Sequence, residues 1–338
     1  MLPTPLPAGI PTLLLRGAFF PLLLQSQLGP GALRKASLGG VPLAVYRDPV
    51  TRDVMVHSDV CPHQGASLAT GRLTSDGTLV CPYHGFGFRQ GTFCGVEAGS
   101  CKVRANAVSL PLLETHEDAD IVYAALPTLF PGAQGLNEPY QPPEATDPAF
   151  TKIVGSRLIE RPQEMVTENV LDMLHISYVH SFGNLGSPLP KAVRYEPLGL
   201  TGGRASFVYK PQRGSLATWL AMGPGLADDA VRVENEFHLP TTTVTRVFVG
   251  SSVKTVMTRA QPIDAHSCRL FWTIYRNFYT APVFDGVMRA LMERTLDEDV
   301  AQLKNVYPHV GSQLSVGYDV TILKYREALR LALEEQQL

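Results

Sequence analysis

Residues 42–60 read PLAVYRDPVTRDVMVHSDV, two short apolar runs around the polar turn-former DPVTRD. That alternation predicts a β-hairpin. GTLVCPYHGFGF at 77–88 and ADIVYAALP at 119–127 read as further strands, with Gly and Pro recurring between them. Together they predict a small all-β domain over residues 1–130, with strands from about residue 14. Six prolines (Pro127, Pro131, Pro139, Pro142, Pro143 and Pro148) with Gly132 and Gly135 then mark a linker at 131–150, running over a surface. In QEMVTENVLDMLH, residues 163–175, the apolar positions Met165, Val166, Val170, Met173 and Leu174 recur at helical spacing. The runs RASFVYK, DAVRVENEFHL, TTTVTRVFVG, SSVKTVMTR and SCRLFWTIYR predict one large antiparallel sheet. Two helices follow, VFDGVMRALMERTLDEDVAQLKNVY and YDVTILKYREALRLALEE. The order of elements is α+β, with a second domain over 151–338.

Composition narrows the class. With 338 residues, 45% of them hydrophobic, the chain can build two ordinary cores. Lys plus Arg total 29 against 31 Asp plus Glu, a net charge of −2 without a basic cluster, so a nucleic-acid partner is not expected. The apolar run IPTLLLRGAFFPLLL at 10–24 is interrupted by Pro11, Arg16 and Pro21 and falls short of the ~20 residues that span a bilayer. It also lacks a basic start and a small-residue cleavage site. It reads as a strand or turn of the first domain, and no other run is long enough to span a membrane. Five cysteines (Cys61, Cys81, Cys94, Cys101 and Cys268) are no disulfide framework in a chain this long and point to a reducing compartment such as the cytoplasm.

Candidate chemistry starts at CPHQG, residues 61–65, and CPYHG, residues 81–85. Thiolates with imidazoles suit zinc or iron–sulfur iron rather than magnesium or calcium. Zinc fingers usually pair Cys with Cys and His with His; here each loop supplies one of each. The interleaving favours a 2Fe–2S cluster with Cys61 and Cys81 on one iron and His63 and His84 on the other. Gly65 and Gly85 free the backbone to approach sulfur, and Pro62 and Pro82 stiffen the loops.

At these residues the chain resembles the Rieske family. The respiratory branch of that family has an extra cysteine in each loop, joined as a disulfide. The matching positions are Ala66 and Tyr83, so that bridge is absent. Phe86 stands where the respiratory type has a hydroxyl residue, and fewer donors to the cluster imply a lower potential. HGFGF is similar to the run that follows the second loop in Rieske oxygenases.

The second half carries ENVLDMLHISYVH at 168–180. On an ideal helix, at ~100° per residue, Asn169, Asp172 and His175 share one face, whereas His180 points ~140° away from His175. Both imidazoles reach one ion only if the helix ends or bends after His175. The segment resembles the D-x-x-H-x-x-x-x-H motif of Rieske non-haem iron oxygenases, and with the first domain the resemblance covers nearly the whole chain. It implies a mononuclear Fe(II) held by His175, His180 and a carboxylate. In LDEDVAQL, residues 296–303, Asp299 falls on the apolar helix face set by Met292 and Leu296, while Asp297 and Glu298 are expected to face water. The family's late Glu-Asp pair also selects Asp299.

The resemblance further implies a helix-grip, START-like catalytic domain, O2 as cosubstrate, and NAD(P)H electrons arriving through a separate reductase and in some systems a ferredoxin. It implies head-to-tail homotrimers in which Asp172 meets the outward N–H of a neighbour's His84. Asp172 at i, i+3 can also accept the His175 imidazole N–H, and Asn169 is expected beside the iron. The modest length resembles the monooxygenase and demethylase branch, acting on a small organic substrate. Ring cis-dihydroxylation, tetrapyrrole oxidation (with a plastid stroma location), and a non-catalytic electron carrier or redox sensor stay open. Cys94, Cys101 and Cys268 read as small buried residues, and Phe271, Trp272, Tyr275 and Phe278 as sheet core. Of His57, His116, His238, His266 and His309, one can line the substrate pocket, and the sequence does not say which.

Overall fold

A computed structural model describes residues 15, 17–96, 109–125, 138–181, 189–210, 223, 231–307 and 314–335. Cys101, His309 and the stretches 10–14 and 126–137 lie outside the described residues. The chain divides into two compact units, Met1–Glu138 with Gln261–Ala265, and Pro139–Ala260 with His266–Leu338.

The first unit holds strands β1 (Phe19–Leu24), β2 (Leu33–Leu38), β3 (Val41–Arg47), β4 (Val54–Ser58), β5 (Arg72–Leu73), β6 (Thr78–Val80), β7 (Phe86–Arg89), β8 (Thr92–Val96), β9 (Glu114–Glu117) and β10 (Ile121–Ala125). They form three antiparallel sheets, ordered β1-β10-β9, β2-β3-β4 and β5-β6-β7-β8. The apolar run at 19–24 is edge strand β1, with an irregularity in pairing between Pro21 and Leu23, the place an edge tolerates a residue without an N–H. The β3–β4 turn is set by Asp48, whose Oδ1 accepts the amides of Val50 at 2.8 Å and Thr51 at 3.2 Å. The core between the sheets contains Tyr46, Leu68, Leu79, Phe88 and Phe93, and both Cys61 and Cys81 pack into it.

The second unit runs β11 (Thr151–Ile159), α1 (Gln163–Leu171), β12 (Lys191–Pro197), β13 (Gly202–Tyr209), β14 (Val231–His238), β15 (Thr242–Val249), β16 (Ser252–Pro262), β17 (Cys268–Arg276), α2 (Asp285–Leu303) and α3 (Val320–Glu335). Seven antiparallel strands form one sheet in the order β11-β17-β16-β15-β14-β13-β12. The expected α+β class and large sheet are present. Two strands escaped the pattern reading. β11 follows the prolines and carries Lys152, Gly155, Ser156 and Arg157 among its apolar residues; β12 is mostly exposed. Helix α2 buries Met288, Met292, Leu296, Asp299 and Leu303, one stripe at helical spacing, against Ile153, Leu270, Trp272 and Ile274 of β11 and β17. Each such apolar side chain contributes ~1.5–3 kcal/mol when buried. Phe271, Trp272, Tyr275 and Phe278 are buried, as expected for sheet core. No helix among the described residues is long and apolar enough to cross a membrane.

The described end of the expected surface linker is largely exposed but is anchored inward at two residues. Pro142 and Glu144 are buried. Glu144 accepts from Arg246 Nε at 2.6 Å and from Thr255 Oγ1 at 2.7 Å. Arg246 also pairs with Glu236, which Arg204 Nε reaches at 2.6 Å. Tyr140 stacks on His238 at 3.6 Å between ring centroids. Burial opposes the Glu236 charge, but His238, Arg246 and Arg204 around it hold its carboxyl below the usual range. Pro-rich composition hid a single acidic anchor. Glu144→Ala leaves Arg246 facing one carboxylate instead of two, and is expected to lower unfolding stability by ~3 kcal/mol in urea titration. A loss under ~0.5 kcal/mol would contradict an anchoring role.

Candidate metal centres

The two Cys/His loops follow β4 and β6 and close in the same way. Cys61 N–H donates to Ala66 O at 2.8 Å and Gly65 N–H to Cys61 O at 2.9 Å; Cys81 N–H donates to Phe86 O at 2.8 Å and Gly85 N–H to Cys81 O at 3.1 Å. That turn puts the glycines at φ 75° and 69°, left-handed backbone that disfavours other residues. Their amides therefore serve their own loops rather than sulfur. The amides that favour the Cys61 thiolate are those of His63 and Gln64.

The donors separate by depth. Cys61 and Cys81 are each 2% exposed, while His63 and His84 are at the surface. The imidazole Nδ1 atoms face each other at 3.2 Å. Burial pushes the Cys61 thiol up, opposed by those two amides, and the neighbouring Cys81 thiol pushes it further. Neither cysteine is in a disulfide. Two adjacent buried thiols and two facing imidazoles fit a cluster with unlike ligand pairs on its irons. Phe86 packs on His63 at 4.5 Å between ring centroids, and Tyr83 on His84 at 3.9 Å. The structure corrects the reading of Cys94, which is exposed on the face of β8 opposite buried Phe93; Cys268 is buried as expected, and burial pushes its thiol up to about 12.

In the second unit the predicted helix over 163–175 is shorter than expected. It ends at Leu171, because Asp172 leaves helical geometry with ψ 122°. Asp172 Oδ1 then accepts the Leu174 amide at 2.7 Å and the His175 amide at 3.4 Å, and a short 3-10 turn starts at His175. With the helix ended before both histidines, the 140° divergence vanishes. His175 Nε2 and His180 Nε2 lie 3.2 Å apart, and Asp299 Oδ1 is 3.5 Å from each.

The hydrogen bonds behind these rings set which nitrogen faces inward. His175 Nδ1–H donates to the Asp172 backbone carbonyl at 2.7 Å, not to the carboxylate as the spacing suggested. His180 Nδ1–H donates to Glu298 Oε2 at 3.1 Å. Glu298 is thus no water-facing residue, contrary to expectation; one position before Asp299, it is ~100° round the helix, at the margin of the buried stripe. Asp297 does face water and pairs with Arg157. Asn169 Nδ2 donates to Asp299 Oδ1 at 3.0 Å, which steers the carboxylate. Burial lowers the His180 pKa; at His175 burial acts the same way, but the Asp299 carboxylate outweighs it and the pKa rises. Two Nε2 lone pairs and one carboxylate are the donor set for non-haem Fe(II).

This trio opens on a cavity of about 350 Å³, walled largely by aliphatic residues, among them Val233, Val247, Val256, Leu270, Ile274 and Met292. None of His57, His116, His238 and His266 lines it, so the expected pocket histidine is not found among the described residues.

Residues 18–109 match the family described as the Rieske [2Fe-2S] domain, and residues 159–335 the Vanillate O-demethylase oxygenase C-terminal domain. The chain is 32% identical over 177 residues to the oxygenase component of dicamba O-demethylase from Stenotrophomonas maltophilia, covering 49% of this chain and 47% of that protein. It is 25% identical over 281 residues to methylxanthine N3-demethylase NdmB of Pseudomonas putida, covering 81% and 76%. The chain spans half or less of the length of several curated relatives it matches. The solved structure of Pseudomonas putida NdmA with caffeine superposes with a TM-score of 0.79 at 20% identity, covering 97% of this chain and 93% of that one, which shows the fold. The second match alone spans more than half the residues, and the first precedes it in the order the two folded units require: the chain belongs to the Rieske non-haem iron oxygenases, with a catalytic domain of the vanillate O-demethylase type.

Proposed function

We propose that this chain is the terminal oxygenase of a multicomponent system that hydroxylates or oxidatively demethylates a small organic substrate. Cys61, His63, Cys81 and His84 would hold the 2Fe–2S cluster, and His175, His180 and Asp299 the Fe(II). The observation that carries the reading is the convergence of His175 Nε2, His180 Nε2 and Asp299 at the end of an apolar cavity. When bound, the cluster supplies single electrons and the Fe(II) activates O2 beside the substrate. The chain's own groups do the rest. Asp172 O and Glu298 hold the two rings in the tautomer that turns Nε2 inward. Asn169 orients Asp299, and the aliphatic wall excludes water. The cavity volume lies in the range of small-molecule sites, ~300–1,000 Å³. Buried His-ligated iron needs an electron entry, and the surface position of His63 and His84 suits delivery from a reductase or ferredoxin and transfer between subunits of a head-to-tail trimer. Free Cys94 and Cys268 suit a reducing compartment, the cytoplasm or a plastid stroma.

The test is iron content with oxygen uptake. The red-brown protein is expected to hold about three irons per chain and to consume O2 when given a reductase, NAD(P)H and a methoxylated or N-methylated substrate. About two irons and no substrate-dependent uptake would make it an electron carrier instead; a colourless zinc protein would overturn both.

A further inference from the structure

Two cationic side chains outside the metal centre line the cavity among the described residues: Arg294, which pairs with Glu298, and Lys254. Lys254 lies on β16, where Lys254, Val256 and Thr258 alternate onto the cavity face. The sheet register sets its place. Val233, Val247 and Lys254 form one cross-strand row; Asn235, Thr245 and Val256 form the next. Helix α1 docks on the second row, through Asn235 Nδ2 donating to Val170 O at 2.9 Å, and the adjacent Asn169 holds Asp299. One row along the strands and two strands across puts Lys254 ~12 Å from the Asn235 backbone. A lysine side chain and a single-ring compound span that distance.

Among the described residues its surroundings supply no counter-charge. Its flanking row is aliphatic, and among the described residues no side chain bonds or pairs with its ammonium. The other ionisable groups on the wall are engaged elsewhere: Asp299 with Asn169 and the histidines, Glu298 with His180 and Arg294. Tyr209 also lines the wall, its phenol pushed up by burial. An unpaired buried ammonium is costly, and a bound anion removes that cost. Lys254 is partly buried and lines the cavity, and burial pushes its amine down to about 8.

We propose that Lys254 is the substrate anchor, and that the substrate is an organic acid. Its carboxylate meets the Lys254 ammonium while its apolar body lies along the Val233–Val247 row and its far end reaches the His175, His180 and Asp299 centre. The assignment rests on the oxygenase reading for which end of the ligand reacts, but not for which end binds.

The experiment is calorimetric binding to the metal-loaded protein, without reductase. The probes are methoxybenzoic, hydroxybenzoic and methoxyphenylacetic acids, each beside its primary amide. The best acid is expected to bind at least ~30-fold more tightly than its amide in the wild type, to keep that preference in Lys254→Arg, and to fall to within ~3-fold of it in Lys254→Met. In the wild type, the preference should decline ~tenfold per pH unit above about 8, as the free amine loses its proton. This arm stands even if Lys254→Met fails to fold. No acid binding better than its amide, or a preference untouched by Lys254→Met, overturns the assignment. Acid preference without oxygen uptake keeps the anchor and removes the oxygenase reading; oxygen uptake with acids and amides bound equally does the reverse.

Discussion

Asp299→Ala is expected to take the protein from about three irons per chain to about two, and to abolish substrate-dependent oxygen uptake. Asp299 is the only carboxylate within reach of both His175 Nε2 and His180 Nε2 in the described site. Its loss removes the one anionic donor, so the effect should exceed the ~10–100-fold that follows loss of an outer hydrogen-bond partner. The neighbours on the helix make the result specific. Asp297→Ala should retain all the iron, because that side chain is 65% exposed and pairs with Arg157 on the outer face. Glu298→Ala should fall between, weakening metal affinity ~10–100-fold through the freed His180 ring. Far-UV circular dichroism separates ligand loss from misfolding: removing a carboxylate that is itself costly to bury should leave the apoprotein folded. Three irons retained in Asp299→Ala would sink its assignment as a ligand.

The second large effect concerns Asp172. Asp172→Asn is expected to leave both metals bound and cut turnover by on the order of 10²-fold or more. Asn can replace the Oδ1 that accepts the Leu174 and His175 amides, so the turn should survive. The His175 ring is held by the backbone carbonyl of residue 172, which the substitution does not touch. What is lost is the negative charge and the second oxygen. In the described structure Oδ2 accepts no hydrogen bond, so it is free to take one from outside the subunit. The proposed donor is the outward N–H of His84 in a neighbouring subunit. Iron content, steady-state turnover and the rate at which a pre-reduced cluster reoxidises with O2 and substrate would be measured together. Unchanged turnover would refute the bridge; lost iron would show that Asp172 acts locally instead.

Much of this was legible in the residues alone. The Cys/His order needed no structure, because the donors of the candidate cluster site are read from residue type over five-residue loops whose glycines take left-handed backbone. Strands β13 to β17 were equally legible, as runs rich in β-branched and aromatic residues that suit a largely buried sheet. Asp299 stood out because a carboxylate on the stripe of Met288, Met292 and Leu296 is anomalous. Other features depended on neighbours distant in the chain. That Glu298 orients His180, separated by 118 residues, left no local mark, nor did the pairing of Glu144 with Arg246 across 102 residues. The helix stop at Leu171 came from one side chain competing for backbone amides, a local device that periodicity does not register. Lys254 was invisible for the same reason as Glu298. A lysine in a strand is ordinarily solvated, and only the tertiary structure decided that this one faces an apolar cavity, because the field at a buried charge is set by what packs around it in space.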